Sequence, residues 1–167
     1  MSKLTALSIS IAVLGGIWAY LALGPLAGYV LVWAGFIAWG CYFHSGADGA
    51  ALQKTIAGMI YGAIIAGIAL WLVVNNPVGL PASVAGAVYI GVTVFFLVIV
   101  AGFNLLSVVP ANVYGYAAVA GYALSTNTAA NATAMDFTNP VLLVALSTVL
   151  GAIFGMVSGK AAGMLGK

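Results

Sequence analysis

The sequence predicts an all-α fold, a polytopic membrane helical bundle of about six transmembrane helices. The chain of 167 residues is 65% apolar, and it carries only six formal charges, four Lys and two Asp. A soluble domain spends about a quarter of its residues on charge. The apolar residues also run in stretches long enough to cross the ~30 Å hydrocarbon core of a bilayer. A transmembrane barrel would alternate apolar and polar residues, and residues 9–74 show no such alternation.

Apolar runs between turn-forming residues predict six spans in a single transmembrane domain over residues 1–167. The predicted spans are Leu4–Leu23, Leu26–Phe43, Thr55–Val74, Ser83–Gly102, Val108–Leu124 and Val141–Gly159. We interpret the first as a retained helix and not a cleaved signal, because Trp18 and Tyr20 would anchor its far end at a membrane interface. Gly24-Pro25 predicts a tight first turn.

The fifth span is the least regular of the six. It contains Pro110 near Asn104 and Asn112, and the backbone groups that a proline frees find no partner in lipid. We therefore expect an irregular or broken fifth helix. Six spans also divide into three plus three, an odd number per half, which is the arithmetic of an inverted repeat.

The charged residues indicate the orientation of the bundle. With six spans, Lys3, Lys54, Lys160 and Lys167 all fall on one side, while Asp136 falls on the other. The positive-inside rule then places both termini in the cytoplasm. The spans contain no carboxylate, Arg or His, the groups that proton-coupled and ion-coupled transporters usually embed in the membrane.

Small residues recur at every fourth position of the last span, at Ser147, Gly151, Gly155, Gly159 and Gly163. Such a ridge has almost no side chain and lets another helix approach closely, which is how helices gain dispersion contacts in lipid. Two interpretations stay open, helix packing within the chain and an oligomer interface. We expect a homo-oligomer in the lipid bilayer.

Two Asn-Pro pairs, Asn76-Pro77 and Asn139-Pro140, each precede a predicted span. In water and glycerol channels, paired Asn-Pro half-helices meet at mid-membrane from opposite faces. Here both loops fall on the same side, so we interpret both pairs as helix caps. In such a cap the Asn side chain accepts from the first turn, and Pro occupies a position where no N–H is needed.

Uncharged polar groups cluster in and near the fifth span, and hydroxyl and amide groups are what a neutral solute pathway uses. The predicted pore or solute-path residues are Asn104, Ser107, Pro110, Asn112, Tyr114 and Tyr116. Packing and interface anchoring are the alternative interpretation of each tyrosine.

Cys41 and His44, three residues apart and close to Asp48, contain the parts of a nucleophilic dyad. Their position at a predicted membrane boundary, where polar residues are common, favours an interfacial role, and we predict no catalytic residue and no enzyme. One Cys and one His also predict no metal site and no cofactor. Four lysines spread along the chain form no patch for nucleic acid.

Several short motifs are similar to those of a known family. They are Trp33-Ala34-Gly35-Phe36, Tyr42-Phe43, Ser107-Val108-Val109-Pro110 with Gly115, and Leu150-Gly151-Ala152-Ile153-Phe154-Gly155. In order and extent the chain resembles the bacterial inner-membrane family catalogued as domain of unknown function 1097, the YcdZ-like proteins. The resemblance implies a multispan protein of the bacterial inner membrane and brings no catalytic residues with it.

Taken together, these features favour a channel or facilitator for a small neutral or weakly ionised solute. The absence of charged groups from the spans argues against ion-coupled pumping. The alternative is a structural or assembly membrane subunit that packs through the glycine ridge of its last helix.

Overall fold

The structure, a computed structural model, describes residues 1–166, and this range is folded into six α-helices with no strand. The helices are α1 (Lys3–Leu23), α2 (Val32–His44), α3 (Gly49–Asn75), α4 (Ala82–Ile99), α5 (Val109–Ser125) and α6 (Pro140–Leu165). Short 3-10 turns follow at Val100–Gly102, Asn104–Leu106 and Ala129–Thr133. The predicted all-α bundle is confirmed.

Only four of these helices, α1, α3, α4 and α6, are long and apolar enough to be candidate membrane spans. The α2 helix has 13 residues and α5 has 17, so they rise about 20 and 26 Å and fall short of the ~30 Å hydrocarbon core. The predicted count of six spans is therefore wrong. The second span was predicted too long because residues 26–31 are apolar but not helical, and the chain turns there at Gly28 with φ 86°.

The six helices form two interlocked halves, α1–α3 and α4–α6. The middle helix of each half packs along the last helix of the other half, α2 on α6 and α5 on α3. The first helix of each half also packs on the last helix of the other, α1 on α6 and α4 on α3, while α3 and α6 meet at the centre. Exchanging the two halves leaves this pattern unchanged, which is the symmetry of a three-plus-three repeat.

Side-chain contacts give the helix directions. Ser10 Oγ near the start of α1 donates to the carbonyl oxygen of Ser158 near the end of α6 (2.7 Å), and Tyr61 OH on α3 donates to the carbonyl of Phe96 on α4 (2.9 Å), so both pairs are antiparallel. The tight loop between α2 and α3 makes that pair antiparallel as well. Successive helices thus alternate in direction, and the two halves run in opposite senses, as an inverted repeat requires.

The described lysines lie at one end of the bundle. Lys3 opens α1, Lys54 lies in the second turn of α3, and Lys160 lies near the end of α6, whereas Asp136 lies in the loop at the opposite end. Lys167 lies outside the described residues. This sidedness agrees with the sequence, and the cytoplasmic placement of the lysine-bearing end stays a prediction.

The fifth helix is short but unbroken, so the expectation of a broken or irregular helix is wrong. Pro110 occupies the first turn of α5, where its missing N–H costs nothing. The irregular backbone lies before the helix, in the 3-10 turns at 100–102 and 104–106.

The interior contains aromatic residues that the sequence had suggested for the membrane interface. Trp18 is fully buried, and its Nε1 donates to the carbonyl oxygen of Val32 at the start of α2 (2.8 Å). Its indole lies so close to Gly35 that a Cβ there would collide with the ring. Trp39 is buried as well, and its Nε1 donates to Ser158 Oγ (3.0 Å). The interface interpretation fails for Trp18, while Tyr20 is exposed as expected.

Candidate functional site: the groove between α2 and α5

A groove of about 720 Å³ runs between α2 and α5, the middle helices of the two halves. The two helices occupy equivalent places in the two halves, so the groove lies between corresponding elements of the repeat. Each helix is held mainly by the last helix of the other half, and the two face each other across small residues. Gly40 and Gly121 line the groove, and a Cβ added at either would meet nothing within 4 Å.

Five polar side chains line the groove, and none of them is a Lys or an Asp. They are Cys41 and His44 on α2 and Tyr114, Tyr122 and Ser125 on α5. Since the helices are antiparallel, His44 and Tyr114 lie towards the lysine-bearing end, and Tyr122 and Ser125 lie towards the other. The remaining wall is apolar, with Trp33, Phe36 and Ile37 on α2.

The thiol and the imidazole do not assemble a dyad. Cys41 is only 1% exposed, and its Sγ accepts a hydrogen bond from Thr55 Oγ1 (3.6 Å). Asp48 caps α3, where its Oδ1 accepts from the Ala51 amide (2.7 Å). Within residues 1–166, no hydrogen bond joins His44 to Cys41 or to Asp48.

Of the six predicted solute-path residues, the structure brings Tyr114 to the groove. Asn112 is completely buried, and its Nδ2 donates to the carbonyls of Leu97 (3.2 Å) and Leu106 (3.1 Å). Its Oδ1 has no hydrogen-bond partner among the described residues and lies over Gly58 of α3. Asn112 therefore packs α5 against α3 and ties down the irregular segment before α5.

The other four candidates lie in or beside that irregular segment or on another face of α5. Tyr116 OH lies 3.1 Å from Thr93 Oγ1 and joins α5 to α4. Asn104 is exposed, and its carbonyl accepts from Ser107 Oγ (2.8 Å). Pro110 is half-buried in the first turn. None of the four lines the groove.

The small-residue ridge of α6 packs within the chain over most of its length. A Cβ on Gly151 would run into the backbone of Gly35, and one on Gly155 would stand 3.1 Å from both Trp39 and Tyr42. One turn earlier, Ser147 Oγ accepts from the Leu31 amide (2.7 Å) just before α2 begins.

The far end of the ridge is open. A Cβ on Gly159 would make only ordinary contact with Phe43, and one on Gly163 would meet nothing within 4 Å. The first half of the ridge is therefore closely packed on α2, and its end is an open surface.

The two Asn-Pro pairs differ. Asn139 caps α6 as predicted, because its Oδ1 accepts from the Val141 amide (2.8 Å) and Pro140 is the first helical residue. Asn76 instead ends α3 in a left-handed conformation with φ 42°, and α4 begins only at Ala82. The prediction of a cap at the start of α4 is wrong for Asn76 and Pro77.

The side chain of Asn76 fixes the following loop. Its Nδ2 donates to the Leu80 carbonyl (2.8 Å), and its Oδ1 accepts from Tyr89 OH (2.9 Å) on α4. The corner between α3 and α4 is therefore closed by neutral groups.

The family model for a protein of unknown function (DUF1097) matches residues 8–163, which include all six helices apart from the outermost turns of α1 and α6. The chain belongs to this family. The resemblance seen in the short motifs is thereby confirmed, and the apolar helices make this DUF1097 chain a membrane-spanning protein. No curated protein and no solved structure matches it.

In this DUF1097 protein, the groove between α2 and α5 includes residues that the sequence analysis did not predict for a solute path, above all Tyr122 and Ser125. A signal for them exists, since Tyr114, Gly121, Tyr122 and Ser125 share one face at helical spacing. The partner face on α2 has no such link to them in the sequence, because 64 residues lie between the end of α2 and the start of α5.

Proposed function

We propose that this DUF1097 protein is a facilitator for a small neutral or weakly ionised solute in the bacterial inner membrane, with both termini cytoplasmic. The solute path follows the groove between α2 and α5. The single observation that supports this is a groove between the equivalent middle helices of the two halves, lined by polar side chains from both helices and by no Lys or Asp among the described residues.

The groove chemistry suits an uncharged solute. The hydroxyls of Tyr114, Tyr122 and Ser125 can replace hydrogen bonds that a solute leaves behind in water. Within residues 1–166, no Lys or Asp lines the groove to balance the charge of an ion, and an uncompensated charge at membrane depth is costly. A small uncharged molecule that passes along the groove needs no opposite charge and can exchange its hydrogen bonds to water for hydrogen bonds to these hydroxyls.

The groove is open along one side. A second copy of the chain, placed beside the first in the plane of the membrane and facing this opening, would enclose the path. A homo-oligomer is also what the sequence predicts, although there the expected interface was the small-residue ridge of the last helix. The assembly alternative has less support, because the ridge residues 147–155 on which it depended already pack against α2.

Solute flux into liposomes tests the proposal. The purified chain is reconstituted, and entry of urea and glycerol is followed by stopped-flow light scattering. Gly40→Leu and Gly121→Leu fill the groove at positions with free space, so they block the path without disturbing the fold. Gly16→Leu and Gly91→Leu are matched controls, since each lies on an exposed face of α1 or α4 with equal free space.

We expect flux through the wild type and both controls, and flux at the level of empty liposomes for the double Gly40→Leu/Gly121→Leu variant. Equal flux through the blocked and control variants would contradict a path in the groove. An inert wild type that copurifies with a second membrane protein would favour the assembly alternative.

A further inference from the structure

A second cavity, of about 690 Å³, opens at the lysine-bearing end of the bundle. It lies between the start of α1, the end of α6 and the loop that joins α2 to α3. Lys3 and Lys160 line it from α1 and α6, and Asp48 lines it from the loop. It is separate from the α2–α5 groove and plays no part in the proposed solute path.

The cavity combines cationic groups with an apolar wall. Leu7, Phe43 and Met156 contribute the apolar side chains, and the open end of the ridge at Gly163 leaves room beside them. This is the arrangement of a lipid site, since a headgroup needs charge at the membrane surface while the chain below it needs apolar contact.

The charge of the cavity favours an anion. Of the residues that the structure describes, two lysines and one carboxylate line it, and Asp48 already accepts a hydrogen bond from the Ala51 amide at the start of α3. Lys3 is also the first residue of α1, at the positive end of the helix dipole, where a cation is disfavoured and an anion is attracted. An anion in the cavity would relieve that repulsion and pair with Lys160 as well.

The other half of the repeat supplies a comparison. Its equivalent corner, where α3 ends and α4 begins, is closed by the side chain of Asn76 bonded to Leu80 and Tyr89. The side chains that close that corner, Asn76 and Tyr89, carry no charge, whereas the corner of α1 and α6 is open and is lined by Lys3 and Lys160. The repeat symmetry alone therefore does not explain the cationic cavity.

We propose that this cavity binds the anionic phosphate headgroup of a membrane lipid, with the upper part of an acyl chain against Leu7 and Phe43. Lys3 and Lys160 pair with the phosphate. The headgroup lies at the depth of Lys160, five residues and so about 7.5 Å before the end of α6.

Lipid retention by the whole chain tests this site. The detergent-solubilised protein is mixed with equal amounts of phosphatidylglycerol and phosphatidylcholine, and the bound lipid is measured by native mass spectrometry. Lys3→Gln and Lys160→Gln each remove one cation from the cavity. Lys54→Gln is the matched control, because Lys54 lies at the same end of the bundle but does not line the cavity.

We expect the wild type and Lys54→Gln to prefer phosphatidylglycerol, and each cavity variant to lose about fivefold in that preference, the equivalent of about 1 kcal/mol for one lysine at an anionic surface. Gly163→Leu should lower lipid retention with both lysines in place, whereas Gly86→Leu on α4, also with free space, should not.

Two results would overturn the proposal. One is a preference that survives both lysine substitutions or falls equally in Lys54→Gln, which would mean a diffuse attraction to the whole face. The other is thermal stabilisation by inorganic phosphate with no preference between the two lipids, which would identify the source of the anion as free phosphate. Both readouts are independent of solute flux, so failure of the groove proposal leaves them interpretable.

Discussion

Gly151→Ala is the most direct test of the interlocked halves. A Cβ at this position would stand 2.6 Å from the carbonyl carbon of Gly35, well inside the 3.4 Å at which ordinary contact begins. The equivalent contact in the other half is at Gly62, where a Cβ would stand 2.8 Å from the amide nitrogen of Tyr116. In both cases the obstacle is main chain, which cannot rotate away, so the helices themselves must separate.

The size of the effect follows from that separation. A carbon–carbon contact contributes about 0.1–0.2 kcal/mol, and a gap of 0.5–1 Å removes a quarter to a half of it. Overpacked interiors lose about 1–3 kcal/mol in total. Because no side-chain movement relieves this clash, we expect Gly151→Ala to lower the free energy of unfolding by about 3 kcal/mol, the upper end of that range, and Gly62→Ala to do the same.

The free energy of unfolding is measured by titrating the micellar protein with a denaturing detergent and following helix content. Gly91→Ala on α4 is the control, because a Cβ there meets nothing within 4 Å and the gain in helix propensity, about 1 kcal/mol in water, is common to both substitutions. If Gly151→Ala is as stable as Gly91→Ala, then α2 and α6 do not approach as described and the reasoning is refuted.

Three further predictions concern buried hydrogen bonds and one loop. Ser147→Ala should lower the free energy of unfolding by about 1–3 kcal/mol, because the Leu31 amide loses its acceptor. Asn112→Ala should cost roughly as much, since both of its carbonyl partners lose their donor, measured by the same detergent titration. The pKa of Asp136 is lowered by hydrogen bonds from the side chain and backbone of Thr138. The loop is therefore stabilised above the ordinary pKa of 3.8, loses that contribution as pH falls through the lowered value, and should show an NMR midpoint for the Thr138 amide below 3.8.

Each of these predictions has a control. Ser83→Ala at an exposed position of α4 should leave the free energy of unfolding unchanged. An equal loss there would mean that the effect of Ser147→Ala does not come from the lost hydrogen bond. Asn104→Ala, at an exposed site before α5, is the control for Asn112→Ala and should likewise leave the free energy of unfolding unchanged. In Asp136→Asn the Thr138 amide should show no titration, and a midpoint that persists would belong to another group.

Much of the helix pattern could be predicted from the sequence, since long apolar runs between turn residues place α1 and α6 within a few residues. The start of α2 could not, because residues 26–31 are as apolar as a helix, although the backbone turns at Gly28 and is extended at Leu31. Hydropathy measures the affinity of a segment for lipid and does not report a backbone turn within that segment. The same limit hid the burial of Trp18, whose place at the end of a span resembles an interface anchor.

The close packing along α6 was also readable, because small residues at every fourth position have few other uses in a membrane. Which helix fills the ridge was not, since α2 ends more than 100 residues before Ser147 and Gly35 is the one glycine of α2 that contacts the ridge. The groove was missed for a similar reason. Its polar residues lie on two helices that meet only when the halves interlock, and the irregular segment around Pro110 attracted the prediction instead.

The interlocking of the halves has a consequence for biosynthesis. Helix α2 packs along α6, and α3 packs along α5. Both α2 and α3 are therefore synthesised before the helices on which they pack. Until then α2, with 13 residues, is too short to cross the bilayer alone, and the glycine face of α3 is without its close-fitting neighbour. Insertion of the first half therefore precedes its folding. A nascent chain interrupted after residue 75 would lack the helices along which α2 and α3 pack most extensively.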